Sequence, residues 1–275
     1  NLEYDHADIF PDLGAIQRQF HHLVRIVPRR GKLIVNAEDA ALAAVLAMGC
    51  WTPVERFGID SAADWNAHLL VDDGSAFEVY RHGQRLGEVH WSLLGRHNVM
   101  NALAALAAAS AAGADPVDLL PAFSTFHNVK RRLQVLGTPH GQTVYDDFAH
   151  HPTAIRTTLA GLRAKVGPAR IVVAIEPRSN SMRLGAHAAE LAPSLHEADL
   201  VVFLRRPELP WDAEAVIGRL RGEGVAVPSV DALLDTLQHH TRAGDHVVFM
   251  SNGGFEGAPR RWASTPSDRA PFRPA

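Results

Sequence analysis

Four near-continuous apolar runs of strand length follow one another in the second half of the chain. They are Thr143–Val144–Tyr145, Ile171–Val172–Val173–Ala174–Ile175, Leu200–Val201–Val202–Phe203–Leu204 and His246–Val247–Val248–Phe249–Met250. Helical patterns separate them over 153–166, 187–196, 213–221 and 232–241. A strand with no polar face must be covered on both sides, which predicts a mostly parallel sheet between layers of helix, an α/β fold of Rossmann-like type. Ligands of such sheets bind beyond the carboxyl ends of the strands. Asp147, Glu176–Pro177–Arg178–Ser179–Asn180 and Ser251–Asn252–Gly253–Gly254 all stand at such ends, so three polar clusters fall on one edge.

The first half has a different rhythm. Leu13, Ile16, Gln17, Phe20 and Leu23 recur at helical spacing over 11–23, a short strand follows over 31–36, and an Ala-rich helix over 38–48 stops at Gly49. Alternation in Phe77–Glu78–Val79–Tyr80 and Glu88–Val89–His90–Trp91 predicts a meander of strands within 51–95. A helix over 98–112 ends at Gly113, and a second covers 121–126. A chain of 275 residues is long enough for two cores. The change of rhythm predicts one domain over 1–134 and a second over 135–260, and the Pro-, Arg- and Ser-rich stretch 261–275 reads as a disordered tail.

Composition narrows the partners. A net charge of −3 supplies no basic field for duplex nucleic acid, so no nucleic-acid partner is expected. No run approaches the eighteen or so apolar residues needed to cross a bilayer, so no membrane partner is expected. Cys50 is the single cysteine, which excludes an intrachain disulfide and a cysteine zinc site and fits a reducing, cytoplasmic compartment. The opening Asn1–Leu2–Glu3 has no Met and no signal pattern, and reads as cut from a longer chain. Neither a Gly-x-x-x-x-Gly-Lys-Ser/Thr phosphate loop nor a Gly-x-Gly-x-x-Gly fingerprint is present, and the second absence argues against a dinucleotide oxidoreductase.

The densest chemistry lies in Tyr145–Asp146–Asp147–Phe148–Ala149–His150–His151–Pro152. Paired acids at the end of a buried run repel each other unless a cation or donors stand nearby. Ribose hydroxyls, magnesium-bound water or a nearby arginine are the partners to expect, and no zinc-ligand spacing is present. Upstream, Asn98 reads as the N-cap of its helix with Asn101 one turn on, and carboxamides so placed can read an adenine edge. Lys130–Arg131–Arg132 is either a solvated basic turn or a phosphate contact. Arg178, Ser179 and Asn180 suit a substrate carboxylate or a structural turn, and Ser251–Gly254 offers backbone amides to an anion. His6, taken alone, carries no signal.

In this order the pieces resemble the ATP-dependent Mur ligases of bacterial cell-wall synthesis. Asn1–Leu2–Glu3–Tyr4–Asp5–His6 resembles the family's Asn-x-x-x-Asp-His, Leu94–Gly95–Arg96–His97–Asn98–Val99–Met100–Asn101 its adenine-contacting helix start, and Arg131–Arg132–Leu133 its interdomain Arg-Arg-Phe. Asp146–Asp147–Phe148–Ala149–His150–His151–Pro152–Thr153 resembles the Asp-Asp-Tyr-Gly-His-His-Pro-Thr of the muramate-loading branch. Within that branch, Glu176–Pro177–Arg178–Ser179–Asn180–Ser181–Met182 and Met250–Ser251–Asn252–Gly253–Gly254–Phe255 resemble the ligases that serve murein recycling, while Glu256 and Pro259 depart from the family's Gly-Gly-Ile-His ending.

The resemblance implies the later part of a central ATPase domain, without its phosphate loop, followed by a C-terminal substrate domain. It implies an amide ligase using ATP and Mg2+ that joins UDP-N-acetylmuramate to the tripeptide L-Ala-γ-D-Glu-meso-diaminopimelate through an acyl phosphate. It assigns His6 to magnesium, Asn98, Asn101, Arg132 and Asp147 to the nucleotide, Arg132 and His150 to catalysis, and Arg178, Ser179, Asn180, Ser251 and Asn252 to substrate. This span alone is expected to be inactive. The alternatives are a UDP-N-acetylmuramate–L-alanine ligase, a non-catalytic tripeptide-binding fragment, or a folylpolyglutamate- or cyanophycin-type amide ligase. The last leaves His150–His151–Pro152 unexplained.

Overall fold

The computed structural model describes residues 1–206 and 212–264, in two compact units that divide between His127 and Asn128. In the first unit, α1 (Leu13–Ile26) begins where the Asp12 carboxylate accepts the Ala15 N–H at 2.7 Å, and α2 (Ala40–Ala47) where Asp39 accepts that of Leu42 at 3.0 Å. The strands are β1 (Leu33–Asn36), β2 (Val54–Gly58), β3 (Trp65–Leu69), β4 (Ala76–Arg81) and β5 (Gln84–His90), hydrogen-bonded in that order. β1, β2 and β3 run parallel, whereas β3, β4 and β5 form the antiparallel meander that the alternation predicted. α3 (Arg96–Ala111) buries Val99, Leu103 and Leu106 against Trp65, Phe77 and Val79. α4 (Pro116–Leu119) leads into a 3-10 turn over Leu120–Thr125, where an α-helix was expected. Six residues with Pro121 at their start are too few for an independent α-helix.

The second unit carries β6 (Gln134–Gly137), β7 (Thr143–Asp147), α5 (Pro152–Val166), β8 (Ile171–Ile175), α6 (Asn180–Arg183), α7 (Ala188–Ser194), β9 (Leu200–Leu204), α8 (Ala213–Ile217), β10 (Glu223–Val227), α9 (Val230–His240), β11 (His246–Met250) and α10 (Ala258–Ala263). Its strands lie in the order β10-β9-β8-β11-β7-β6, all parallel except the edge strand β6. Alternate residues of each strand enter opposite cores. Val173, Ile175 and Val201 pack toward Ile155, Leu159 and Leu162, and Val172, Ala174 and Val202 pack toward Leu233 and Leu237. This is the two-sided burial that the unbroken apolar runs demanded.

β6 and β10 escape the periodicity because Gln134–Val135–Leu136–Gly137 and Glu223–Gly224–Val225–Ala226–Val227 form the two edges of the sheet and are short or mixed in polarity. The predicted tail from 261 overlaps α10: Trp262 is buried, and its Nε1 donates to Gln142 Oε1 at 3.1 Å. The rest of that tail, 265–275, lies outside the described residues.

Candidate active site

The strand order returns β11 between β7 and β8, so Met250 pairs with Asp147 on one side and with Ile175 on the other. Three strand ends, with their polar sequels, therefore stand side by side at a topological switch point. The Ser251 N–H donates to the Asp147 carbonyl at 3.2 Å, and the Glu176 N–H to that of Met250 at 3.0 Å, which laces the ends together.

The paired acids avoid repulsion because successive strand residues face opposite sides of the sheet. Asp146 receives the Arg131 guanidinium, Nε to Oδ1 at 3.3 Å. Asp147 is 3% exposed and accepts two backbone N–H groups, Ala149 at 2.7 Å on Oδ1 and Leu133 at 2.6 Å on Oδ2. Burial pushes the Asp147 carboxyl above the ordinary aspartate value, against the pull of those two donors and of Arg132. A nearby arginine and main-chain amides are thus the partners the pair has within the fold.

Those contacts also seat the Arg131–Arg132–Leu133 segment. Arg131 and Leu133 are non-glycine residues at φ +61° and +48°, each a conformation that costs about 1–3 kcal/mol unless its surroundings impose it. Here the Phe148 N–H donates to the Arg131 carbonyl at 2.8 Å, and the Leu133 side chain packs on the core. Arg131 also donates to the Ser251 carbonyl and lies over the Phe148 ring at 5.2 Å. Arg132 lies over the same ring at 5.6 Å and is exposed. Of the two arginines, Arg131 is committed to the fold and Arg132 faces solvent.

The double histidine divides in the same way. His150 Nδ1 sits 2.9 Å from the Phe148 carbonyl, which can only accept, so the proton is on Nδ1 and the neutral ring presents its Nε2 lone pair. His151 is the N-cap of α5: its Nδ1 accepts the Thr153 N–H at 3.3 Å, and its ring meets that of His187 edge-on at 4.5 Å.

Beyond β8 and β11, Glu176 and Ser251 are each 1% exposed, and the Ser251 hydroxyl donates to Glu176 Oε2 at 2.7 Å while accepting the Gly253 N–H at 2.9 Å. Ser179 caps α6 by accepting the Met182 N–H at 3.2 Å. The hydroxyls of Ser179 and Ser251, expected at substrate, are therefore engaged in forming the loops that present Arg178, Asn180 and Asn252. Arg178 and Asn180 are exposed, and Asn252 Oδ1 is buried without a hydrogen-bond partner among the described residues. The sequence offered Arg131 only as one member of a basic triplet and Glu176 only as one member of a polar cluster, and neither received a role of its own. Glu176 had a usable signal, an acid ending an all-apolar strand as Asp147 does, whereas the burden on Arg131 appears only once β7 and β11 are paired.

In the first unit, α3 starts at Gly95 (φ +90°) and not at Asn98, whose Nδ2 folds back to donate to the Leu94 carbonyl at 2.7 Å. Asn101, one turn on, is exposed. His6 is an exposed residue at φ +54° whose N–H donates to Asp5 Oδ1 at 2.7 Å. Among the described residues no group of three or more His, Cys, Asp or Glu side chains is arranged to hold a metal ion. His6 alone does not constitute a magnesium site, since the ion takes oxygen ligands in an octahedron.

Residues 1–109 match the Mur ligase middle domain, and residues 131–253 match the Mur ligase, glutamate ligase domain. The chain belongs to the Mur ligase family. Members of this family are ATP-dependent ligases that generally use magnesium. This Mur ligase chain is 49% identical over 262 residues to the UDP-N-acetylmuramate–L-alanyl-γ-D-glutamyl-meso-2,6-diaminoheptandioate ligase of Escherichia coli, covering 94% of itself and 56% of that protein. It is 35% identical over 266 residues to the UDP-N-acetylmuramate–L-alanine ligase of Geobacter sulfurreducens, covering 92% of itself and 57% of that protein. Among solved structures, the murein peptide ligase of Psychrobacter arcticus superposes with a TM-score of 0.71 at 41% identity, over 96% of this chain and 57% of that one. The chain thus spans about half the length of the curated relatives it matches. No helix among the described residues is long and apolar enough to cross a membrane.

Proposed function

We propose that this chain is the nucleotide- and peptide-handling portion of a cytoplasmic ligase of peptidoglycan recycling. Its reaction joins UDP-N-acetylmuramate to L-Ala-γ-D-Glu-meso-diaminopimelate at the expense of ATP. The similarity at 49% identity to a relative bearing that substrate in its name supports the choice of peptide. The observation that carries the reading is the edge of the second sheet, where Asp147 is tied to the Leu133 and Ala149 amides and Glu176 to Ser251, while Arg178 is exposed and the Asn252 carbonyl lacks a hydrogen-bond partner among the described residues. An arginine fork suits a peptide carboxylate, and an amide oxygen lacking a donor suits an ammonium or peptide N–H.

In the chemistry of this reading, ATP phosphorylates the muramyl carboxylate, ADP leaves, and the peptide amine then displaces phosphate from the acyl carbon. Arg132 is exposed beside Phe148 and supplies a fixed positive charge where negative charge gathers on the transferred phosphoryl group. His150, protonated at Nδ1 by its bond to Phe148, keeps Nε2 as an acceptor for a proton shed by the attacking amine. Asn101 is the exposed carboxamide available to an adenine edge. Asp147 acts from beneath, by fixing Leu133 and so the neighbouring Arg132.

The test is phosphate release from ATP by the full-length gene product with UDP-N-acetylmuramate and either the tripeptide or free L-alanine. Turnover with tripeptide alone supports the recycling ligase. Turnover with L-alanine moves the chain to the alanine-adding branch, and silence with both overturns the proposal. This 275-residue span, tested alone, is expected to be silent.

A further inference from the structure

Arg206 stands two residues past the end of β9 and has no part in the chemistry above. Its Nη2 donates to Glu176 Oε1 at 2.9 Å and to Glu256 Oε1 at 2.6 Å, so one guanidinium joins the sequel of β8 to the loop that follows β11. The two acids differ in kind. Glu176 is buried, and a buried carboxylate needs a cation or its desolvation goes unanswered. Glu256 is exposed, but it lies in a run of left-handed residues, Phe255 at φ +49°, Glu256 at +48° and Gly257 at +73°. Two consecutive non-glycine residues in that region are held there by their surroundings. The Phe255 ring, 1% exposed and edge-on to Phe249 at 5.9 Å, anchors one side of this turn, and the ion pair of Glu256 with Arg206 anchors the other.

The same loop begins at Ser251, whose hydroxyl shares Glu176 with Arg206, and passes through Gly253, against which Arg178 lies. Glu176 thus takes Ser251 on one oxygen and Arg206 on the other, and Arg206 reaches round to the far end of the loop. We propose that Arg206 is a positioning residue for the peptide substrate: by clasping Glu176 and Glu256 it sets the Ser251–Gly257 loop, and with it the seat of Arg178 and Asn252. This rests on the reading of Arg178 and Asn252 as peptide-facing groups.

Glu256→Ala is the primary test, because it opens the loop arm of the clasp and leaves the buried Glu176–Arg206 pair intact. In the full-length enzyme it is expected to raise KM for the tripeptide about tenfold while kcat and KM for ATP stay within about twofold. Its Tm should stay within about 2 °C of the parent. Arg206→Gln should raise the same KM and also lower Tm, since it strands Glu176. Amide hydrogen exchange of Ser251–Gly257 is the second readout: both variants should exchange faster there, and Glu256→Ala should leave β8 and β11 unchanged. An unchanged peptide KM in an enzyme that turns over, or unchanged loop exchange, overturns the clasp. If the parent shows no tripeptide-dependent turnover, the ligase reading fails instead, and the exchange measurement alone still decides whether Arg206 holds the loop.

Discussion

Arg178 lies directly across the backbone of Gly253: a Cβ at position 253 would stand 2.3 Å from Arg178 Cδ and 2.8 Å from its Nε. The two residues follow different strands, β8 and β11, and the absence of a side chain at one is what lets the other run over the sheet edge. Gly253 does not lie in the left-handed region, so it is required for space and not for φ. Gly253→Ala should therefore dislodge the Arg178 stem without straining the chain. The expected result is a rise of about tenfold in KM for the tripeptide with Tm nearly constant, read from steady-state rates at saturating ATP. An alanine variant with parental peptide KM would show that Arg178 does not need that seat.

Asp147→Asn keeps the shape of a 3%-exposed side chain but exchanges one acceptor for a donor that must face a backbone N–H. A buried donor left unpaired costs about 1–3 kcal/mol. Urea denaturation should register a loss of about 2 kcal/mol from the second unit, and Leu133 and Ala149 amides should lose protection from exchange. Full stability in the variant would mean these two bonds are dispensable.

His246 stacks on Tyr145 at 5.9 Å, and its Nδ1 lies within hydrogen-bond distance of the tyrosine hydroxyl at 3.0 Å. Burial holds its pKa below the ordinary 6.5. The unfolded chain then takes up the proton first, so the stabilisation is present above pH 6.5 and is lost as pH falls through the folded-state value. Between about pH 7 and about pH 5 the Tm of the parent should fall more steeply than that of His246→Phe, which keeps an aromatic ring and cannot titrate. Parallel pH profiles would remove His246 from the account.

At the opposite edge of the sheet, Arg163 stitches three segments with its two terminal nitrogens. Nη1 donates to the Gly167 and Ala169 carbonyls at 2.8 and 2.6 Å, and Nη2 to the Glu197 carbonyl and Asp199 Oδ2 at 2.8 and 2.7 Å. A lysine ammonium cannot span that fork. Arg163→Lys should cost about 2 kcal/mol in chemical denaturation, with ligase kinetics unchanged because the edge lies away from Arg178 and His150. A kinetic defect without a stability defect would contradict this assignment.

Much of this molecule was legible in its residues. The apolar runs at 171–175, 200–204 and 246–250 announced a sheet buried on both faces, since no other arrangement removes a strand with no polar side from water. The polar sequels of β7, β8 and β11 could be placed on one edge for the same reason. Periodicity failed where it had little to work on: edge strands β6 and β10, the short α6, and the start of α3, which Gly95 opens while Asn98 turns back to Leu94.

The class of fold and the family could be read along the chain, because burial pattern and motif are properties of consecutive residues. How neighbours within one motif divide their contacts depended on the pairing of distant strands. Arg131 is drawn into Asp146 and the Ser251 carbonyl while Arg132 stays exposed, and Asp147 is enclosed by Leu133 and Ala149. His151 caps a helix while His150 presents Nε2. Arg206, outside every motif, reaches Glu176 and Glu256 from 30 and 50 residues away. Each of these roles follows from which strand returns beside which: β11 inserts between β7 and β8, and hydrogen bonds of a few ångströms then choose among residues that are chemically equivalent along the chain.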